Sequence, residues 1–212
     1  MTEREFITNV KPKRKNKLLI YAAFIMAVVL VFNTIRLNVI KKLIDSKTVS
    51  IVTESQFSYG ICTGVIIENK DGYAEVLTAK HCGLSSDTVV DQYNIKSFIV
   101  SDLDDIALII LDTKIQNKTK ADIFNGQLSI DDELYHVGYP ALDMYFKHGK
   151  VRRILNSIIL TDVEIISGCS GGGFFNKNGE LVGIGIASID AWKKSLIEPI
   201  KDINRFLYTT ER

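Results

Sequence analysis

Hydrophobic and polar positions divide this chain into two unlike parts. Residues 18–35, LLIYAAFIMAVVLVFNTI, form one apolar block, with no charged or strongly polar group across residues 18–32. At about 1.5 Å per helical residue the block spans roughly 27 Å, enough for the hydrocarbon core of a bilayer. From Val49 onward the apolar runs are short and turn signals separate them. GVIIE (64–68) and YAEVLTA (73–79) flank Asn-Lys-Asp-Gly, which predicts a hairpin. SFIVS (97–101), DIALIIL (105–111), ELYHVGY (133–139) and KVRRILNSIILTD (150–162) read as further strands. Asn178-Gly179 between GGFF and ELVGIGIAS predicts a second hairpin. Only SLIEPIKDINRFL (195–207) is helically spaced: after Pro199, Ile200, Ile203 and Leu207 fall on one face.

Many short strands, one terminal helix and no internal repeat predict an all-β barrel or sandwich. The expected organisation is a basic tail (1–17), a transmembrane helix (18–35), a linker (36–48) and one folded domain (49–212).

Charge sharpens the membrane reading. Residues 1–17 hold six basic side chains against Glu3 and Glu5, leaving 20 basic against 23 acidic in the remainder. That remainder offers no electrostatic case for nucleic-acid binding. The basic cluster before the apolar block, against Arg36, Lys41 and Lys42 after it, predicts a cytoplasmic N-terminus and a domain outside the cytoplasm. The three cysteines suit an oxidising compartment. Sequence alone allows three pairings; the expected bridge is Cys62–Cys82 across a hairpin, worth on the order of 3 kcal/mol for a loop of that size, with Cys169 left over.

Three stretches carry candidate chemistry: VLTAKHC with His81, DLDDIALIIL with Asp105, and SGCSGGG with Ser170. A serine hydroxyl is a weak nucleophile until an imidazole takes its proton. The imidazole needs a carboxylate behind it, and the oxyanion formed on attack needs preorganised N–H donors. A glycine at 168 reaches backbone angles that a side chain disfavours, so its N–H and that of Ser170 can converge on one point. His136 and His148 have no second ligand-type residue at metal spacing, so neither a metal nor a cofactor is expected.

The stretch TDVEIISGCSGGGFFNKNGELVGIGIAS resembles the trypsin-like peptidase superfamily, its HtrA/Deg-type and bacterial glutamyl-endopeptidase branches above all. CTGVII, VLTAKHC, DDIALIIL and VGYP match that family's other landmarks in order, over roughly residues 61–207. The resemblance implies two six-stranded-type antiparallel β-barrels of the chymotrypsin kind and a short C-terminal helix. It implies a serine endopeptidase acting on a protein or peptide substrate, with His81 as base, Asp105 as its carboxylate and Ser170 as nucleophile. Asp102 and Asp104 compete for the carboxylate role, but Asp105 alone abuts the Ile-Ala-Leu strand. Gly168 and Ser170 would supply the oxyanion donors. Glu164 would lie at the base of the specificity pocket, and Ile186, Ala187 and Ser188 would pair with substrate backbone. Cys169 stands where many members have Asp or Asn, which argues against activation by N-terminal trimming. The resemblance extends to no PDZ domain. The alternative is a catalytically silent pseudoprotease that binds a peptide or protein.

Overall fold

The computed structural model describes residues 14–55, 58–189 and 193–210. Most of the basic tail, including Arg4, Lys11 and Lys13, lies outside them. The chain divides into two units, residues up to Val39 and Ile40–Arg212.

Helix α1 runs Arg14–Asp45, through a stretch without glycine or proline, so no residue inside it breaks the backbone ladder. Lys17–Asp45 is long and apolar enough to cross a membrane. The helix outruns the expected span of 18–35 and takes up most of the expected linker. Its last residues belong to the second unit, where Ile40 and Ile44 are buried.

The second unit is mostly β, built on two sheets. The first holds β1 (Thr48–Ser55), β2 (Ser58–Lys70), β3 (Tyr73–Thr78), β4 (Val89–Val90), β5 (Tyr93–Asn94), β6 (Ser97–Val100) and β7 (Ala107–Leu111). Their order, β5-β4-β1-β2-β3-β7-β6, leaves this sheet open as a half-barrel. The β2–β3 turn is Asp71-Gly72, with Lys70 paired to Tyr73 and Gly72 at φ +76°. A glycine reaches that angle without steric cost, hence the Asp-Gly signal.

The second sheet holds β8 (Asp122–Ile123), β9 (Glu133–Gly138), β10 (Tyr145–Ile154), β11 (Ile159–Thr161), β12 (Gly173–Phe175), β13 (Glu180–Ile189) and β14 (Lys194–Pro199). Strand β12 pairs with both β9 and β13, which closes six strands into a barrel. Strand β8 joins outside it, parallel to β13.

Each sheet has its own core. Ile51, Ile66, Val76 and Ile109 pack in the first; Leu134, Val151, Phe174 and Ile197 pack in the second. Ile186 of β13 crosses over to pack against the first core.

Two expectations change in detail. The run 150–162 is two strands, broken where Leu155 N–H donates to the Ile158 carbonyl. Helix α2 covers only Ile200–Thr210, because residues 195–199 end β14, paired to β11 and β13. Pro199 cannot continue a helix's hydrogen-bond ladder, so the helix starts just after it. Of the face expected to carry Ile200, Ile203 and Leu207, Ile203 is buried and the other two are half-buried, while Phe206 is buried beside them.

Candidate active site

His81 follows β3 on a single 3-10 turn, Lys80–Cys82, ended by Gly83 at φ +67°. The turn presents its backbone and ring to the segment before β7. There the Asp105 carboxylate accepts the His81 backbone N–H at 2.9 Å and the ring Nδ1–H at 2.6 Å. Nδ1 as donor leaves Nε2 as the proton acceptor of a neutral ring.

The hydrogen bond to Asp105 raises the His81 pKa above 6.5, outweighing a burial effect that lowers it. For Asp105, burial pushes upward, but the His81 side chain and the N–H groups of His81 and Lys80 together hold it below the usual carboxylate value. Of the three aspartates in the segment, Asp104 pairs with Arg205 instead, and Asp102 is exposed. Ser101 Oγ accepts the N–H groups of Leu103 and Asp104, so the segment is a built turn.

Ser170 lies between Gly168 at φ +93° and Gly171 at φ +80°. A side chain at 168 would meet Pro140 Cα at 2.7 Å. The Ser170 carbonyl accepts the Thr63 N–H at 2.8 Å, and Cys82 Sγ stands 3.9 Å from the same oxygen. Ser170 thus sits at the seam of the two sheets, beside the His81 turn. Among the described residues the Ser170 hydroxyl makes no hydrogen bond, with His81 or any other group. Nor do the Gly168 and Ser170 N–H groups donate one among the described residues.

Glu164 is half-buried, and its carbonyl accepts the Tyr145 hydroxyl at 3.4 Å. Burial, then the Glu164 charge, raises the Tyr145 pKa. Along β13, the register with β12 ends at Ile184, while Ala187, Ser188 and Ile189 pair with Leu196, Ser195 and Lys194 of β14. Cys62 and Cys82 are disulfide-bonded; Cys169 is free, and burial raises its pKa.

His136 lies buried beneath the Ser170 turn, its Nδ1 3.0 Å from the Gly173 carbonyl oxygen and its ring against Phe174. Burial lowers its pKa to about 4, so it stays neutral near pH 7. His148 is exposed on β10. Among the described residues no group of three or more His, Cys, Asp or Glu is placed to hold a metal.

Sequence reasoning missed Thr63, which holds the Ser170 turn from the opposite sheet. Nothing in its local pattern distinguishes it from any buried strand threonine.

Residues 62–184 match the family model of the trypsin-like peptidase domain. The chain belongs to this family. Its fold is similar to Rv3671c from M. tuberculosis H37Rv, solved as the inactive form of a serine-to-alanine mutant. That likeness has 14% identity and a TM-score of 0.68, covering 82% of this chain and 92% of that one. The serine endoprotease from Yersinia pestis is similar at 23% identity and a TM-score of 0.66, covering 77% of this chain and 62% of that one. Identities this low carry the fold alone. No curated protein matches the sequence. Membership of the trypsin-like family and a serine-peptidase fold support a peptidase.

Proposed function

We propose that this protein is a membrane-anchored serine endopeptidase that hydrolyses peptide bonds through an acyl-enzyme. The observation that carries the reading is the Asp105 carboxylate accepting both the His81 ring Nδ1–H and the His81 backbone N–H. That double contact fixes tautomer and ring orientation, leaving Nε2 to act as base.

In this reading His81 Nε2 takes the Ser170 proton as Oγ attacks the scissile carbonyl carbon. The carbonyl π electrons move to oxygen, and the oxyanion accepts the N–H groups of Gly168 and Ser170, which are uncommitted among the described residues. Collapse expels the amine, protonated by the imidazolium, and leaves an acyl ester on Ser170. Water, deprotonated by His81, then attacks that ester and releases the acid. Residues 186–188 of β13 offer backbone for pairing with the substrate chain, and Glu164 biases the specificity pocket toward cationic side chains. In this reading helix α1 anchors the chain, and the basic cluster within residues 1–17 supports a cytoplasmic N-terminus with the peptidase unit outside the cytoplasm.

Because Ser170 makes no bond to His81, the pseudoprotease reading stays in competition. Apo catalytic hydrogen bonds are commonly loose, however, and tighten with substrate. A fluorophosphonate probe separates the two: it should label the wild-type chain at Ser170 and leave Ser170→Ala unlabelled but folded. Peptide turnover should fall by several orders of magnitude in that variant. An unlabelled wild type, or equal turnover in Ser170→Ala, overturns the peptidase assignment.

A further inference from the structure

Glycine at 168 lets the turn reach φ +93°, but a glycine's freedom also leaves such a turn under-determined. Cys169, between the two donor residues, offers no side-chain hydrogen bond among the described residues. The turn's own bonds, Cys169 N–H to the Ile166 carbonyl and Gly172 N–H to the Cys169 carbonyl, leave the Gly168 and Ser170 carbonyls to partners outside it. Buried Thr63 of β2 serves both, its N–H donating to the Ser170 carbonyl and its hydroxyl to the Gly168 carbonyl, each at 2.8 Å. The Thr63 carbonyl in turn accepts the Thr78 hydroxyl at 2.9 Å.

The Thr63 hydroxyl is itself aimed by a third group. Tyr139 N–H donates to Thr63 Oγ1 at 3.0 Å, which turns the hydroxyl proton toward Gly168. The next residue, Pro140, packs directly against Gly168. The Tyr139 side chain runs the other way: its hydroxyl donates to the Asp45 carboxylate at the end of α1. Lys118 Nζ closes the cluster, donating to the Tyr139 hydroxyl at 3.2 Å and to the carbonyls of Asp45 (3.0 Å) and Thr48 (2.7 Å). A continuous set of contacts therefore runs from Asp45 through Tyr139 and Thr63 to the carbonyls of Gly168 and Ser170, the residues on either side of Cys169.

We propose that Thr63 and Tyr139 are positioning residues for the oxyanion donors, and that Asp45 sets where Tyr139 stands. The end of α1 is then a working part of the peptidase site. This rests on the serine-peptidase reading above. The role is conformational: none of the three residues touches substrate. Burial and the Asp45 charge keep the Tyr139 phenol protonated at any working pH, so its donation to Asp45 does not switch off.

The test uses the full chain in detergent micelles, reading the fluorophosphonate labelling rate, kcat and KM on a library-selected peptide, and thermal melting. Thr63→Val should slow labelling by roughly the 100-fold that loss of an oxyanion donor costs. It should lower kcat with little change in KM. Thr63→Ser, which keeps the hydroxyl, should restore most of the rate. Tyr139→Phe and Asp45→Ala should each slow labelling about 10-fold, and the double variant no more than the slower single, because both remove one contact. Wild-type rates in Tyr139→Phe, multiplying losses in the double variant, or melting points that fall while folded protein labels normally would each overturn the proposal. If Thr63→Val fails to fold, the Tyr139 and Asp45 cycle decides alone. A wild type that does not label instead sinks the peptidase reading, and the two failures stay distinct.

Discussion

At the scale of single residues, the His81–Asp105 contact makes opposite demands on activity and stability. In the proposed mechanism the base must be neutral to accept the Ser170 proton, and the Asp105 bond raises the His81 pKa above 6.5. Labelling and kcat/KM should therefore rise with pH along a limb whose midpoint exceeds 6.5. Asp105→Asn removes the carboxylate that holds the proton on the ring. It should move the midpoint downward and cut kcat by about 10⁴-fold, since an amide also stabilises the wrong tautomer. A pH–rate profile of both chains checks this; a wild-type midpoint at or below 6.5 contradicts it. Stability runs the other way: a raised imidazole pKa gives a contribution fully present below the unfolded value and lost as pH climbs through the folded one.

At the scale of elements, the junction of β14 and α2 carries a second titration. Glu198, at 5% exposure, is pushed up to about 7, first by burial and then by the charges of Asp104, Asp202 and Asp105, with Arg205 opposing. Arg205 of α2 bridges Asp104 at 2.7 Å and Asp202 at 3.1 Å, so the helix is tied to the segment that carries Asp105. The folded chain holds the Glu198 proton more tightly than the unfolded one. That stabilisation is complete below the ordinary value of 4.5 and lost as pH rises through 7; the gap corresponds to at most about 3 kcal/mol. Glu198→Gln should accordingly melt several degrees above wild type at pH 8 and with it near pH 5, read by calorimetry. Equal melting points at pH 8 would remove Glu198 from the account.

The sequence was readable at this scale where one signal dominated. Asp71-Gly72 and Asn178-Gly179 declare hairpins because they supply positive φ, and the apolar block declares a helix. Residues 195–199 misled, because Leu196 and Ile197 lie four and three residues before Ile200 and so fit helical spacing, while the same two residues pair as strand, and only partners in β11 and β13 decide between the two. The two-residue strands β4, β5 and β8 are too short to leave a periodicity. His81, Asp105 and Ser170 stand out in the sequence as candidates because the proposed chemistry restricts their types, and the structure brings His81 and Asp105 into contact. Thr63, Tyr139 and Asp45 do not stand out, since their contacts depend on distances that appear only when the sheets meet.

At the scale of the whole peptidase unit, that meeting is the decisive structural event. The Ser170 turn belongs to the closed barrel, yet its carbonyls bond to Thr63 of the open sheet. At Gly171 the two sheets leave no room for a side chain. A Cβ there would stand 2.2 Å from Thr78 Oγ1, 2.4 Å from the Thr63 carbonyl oxygen and 2.6 Å from the Ala79 nitrogen, all in the first sheet or just after it. Two of those atoms are backbone and cannot rotate away, so a methyl group must push the sheets apart. Gly171 also has φ +80°, and Gly72 with φ +76° separates the two effects, because a Cβ at Gly72 meets nothing within 4 Å. Gly72→Ala should cost about 1 kcal/mol of backbone strain and leave labelling of Ser170 unchanged. Gly171→Ala should carry that strain plus an overpacking cost of about 1–3 kcal/mol, and slow labelling at least 100-fold even at temperatures where the variant is folded. Melting curves and labelling rates of the two variants side by side make the comparison. Equal melting points would mean that strain alone sets the cost and that the seam tolerates a methyl group. A Gly171→Ala chain that melts lower but labels at the wild-type rate would mean that the sheets can separate without disturbing the oxyanion donors.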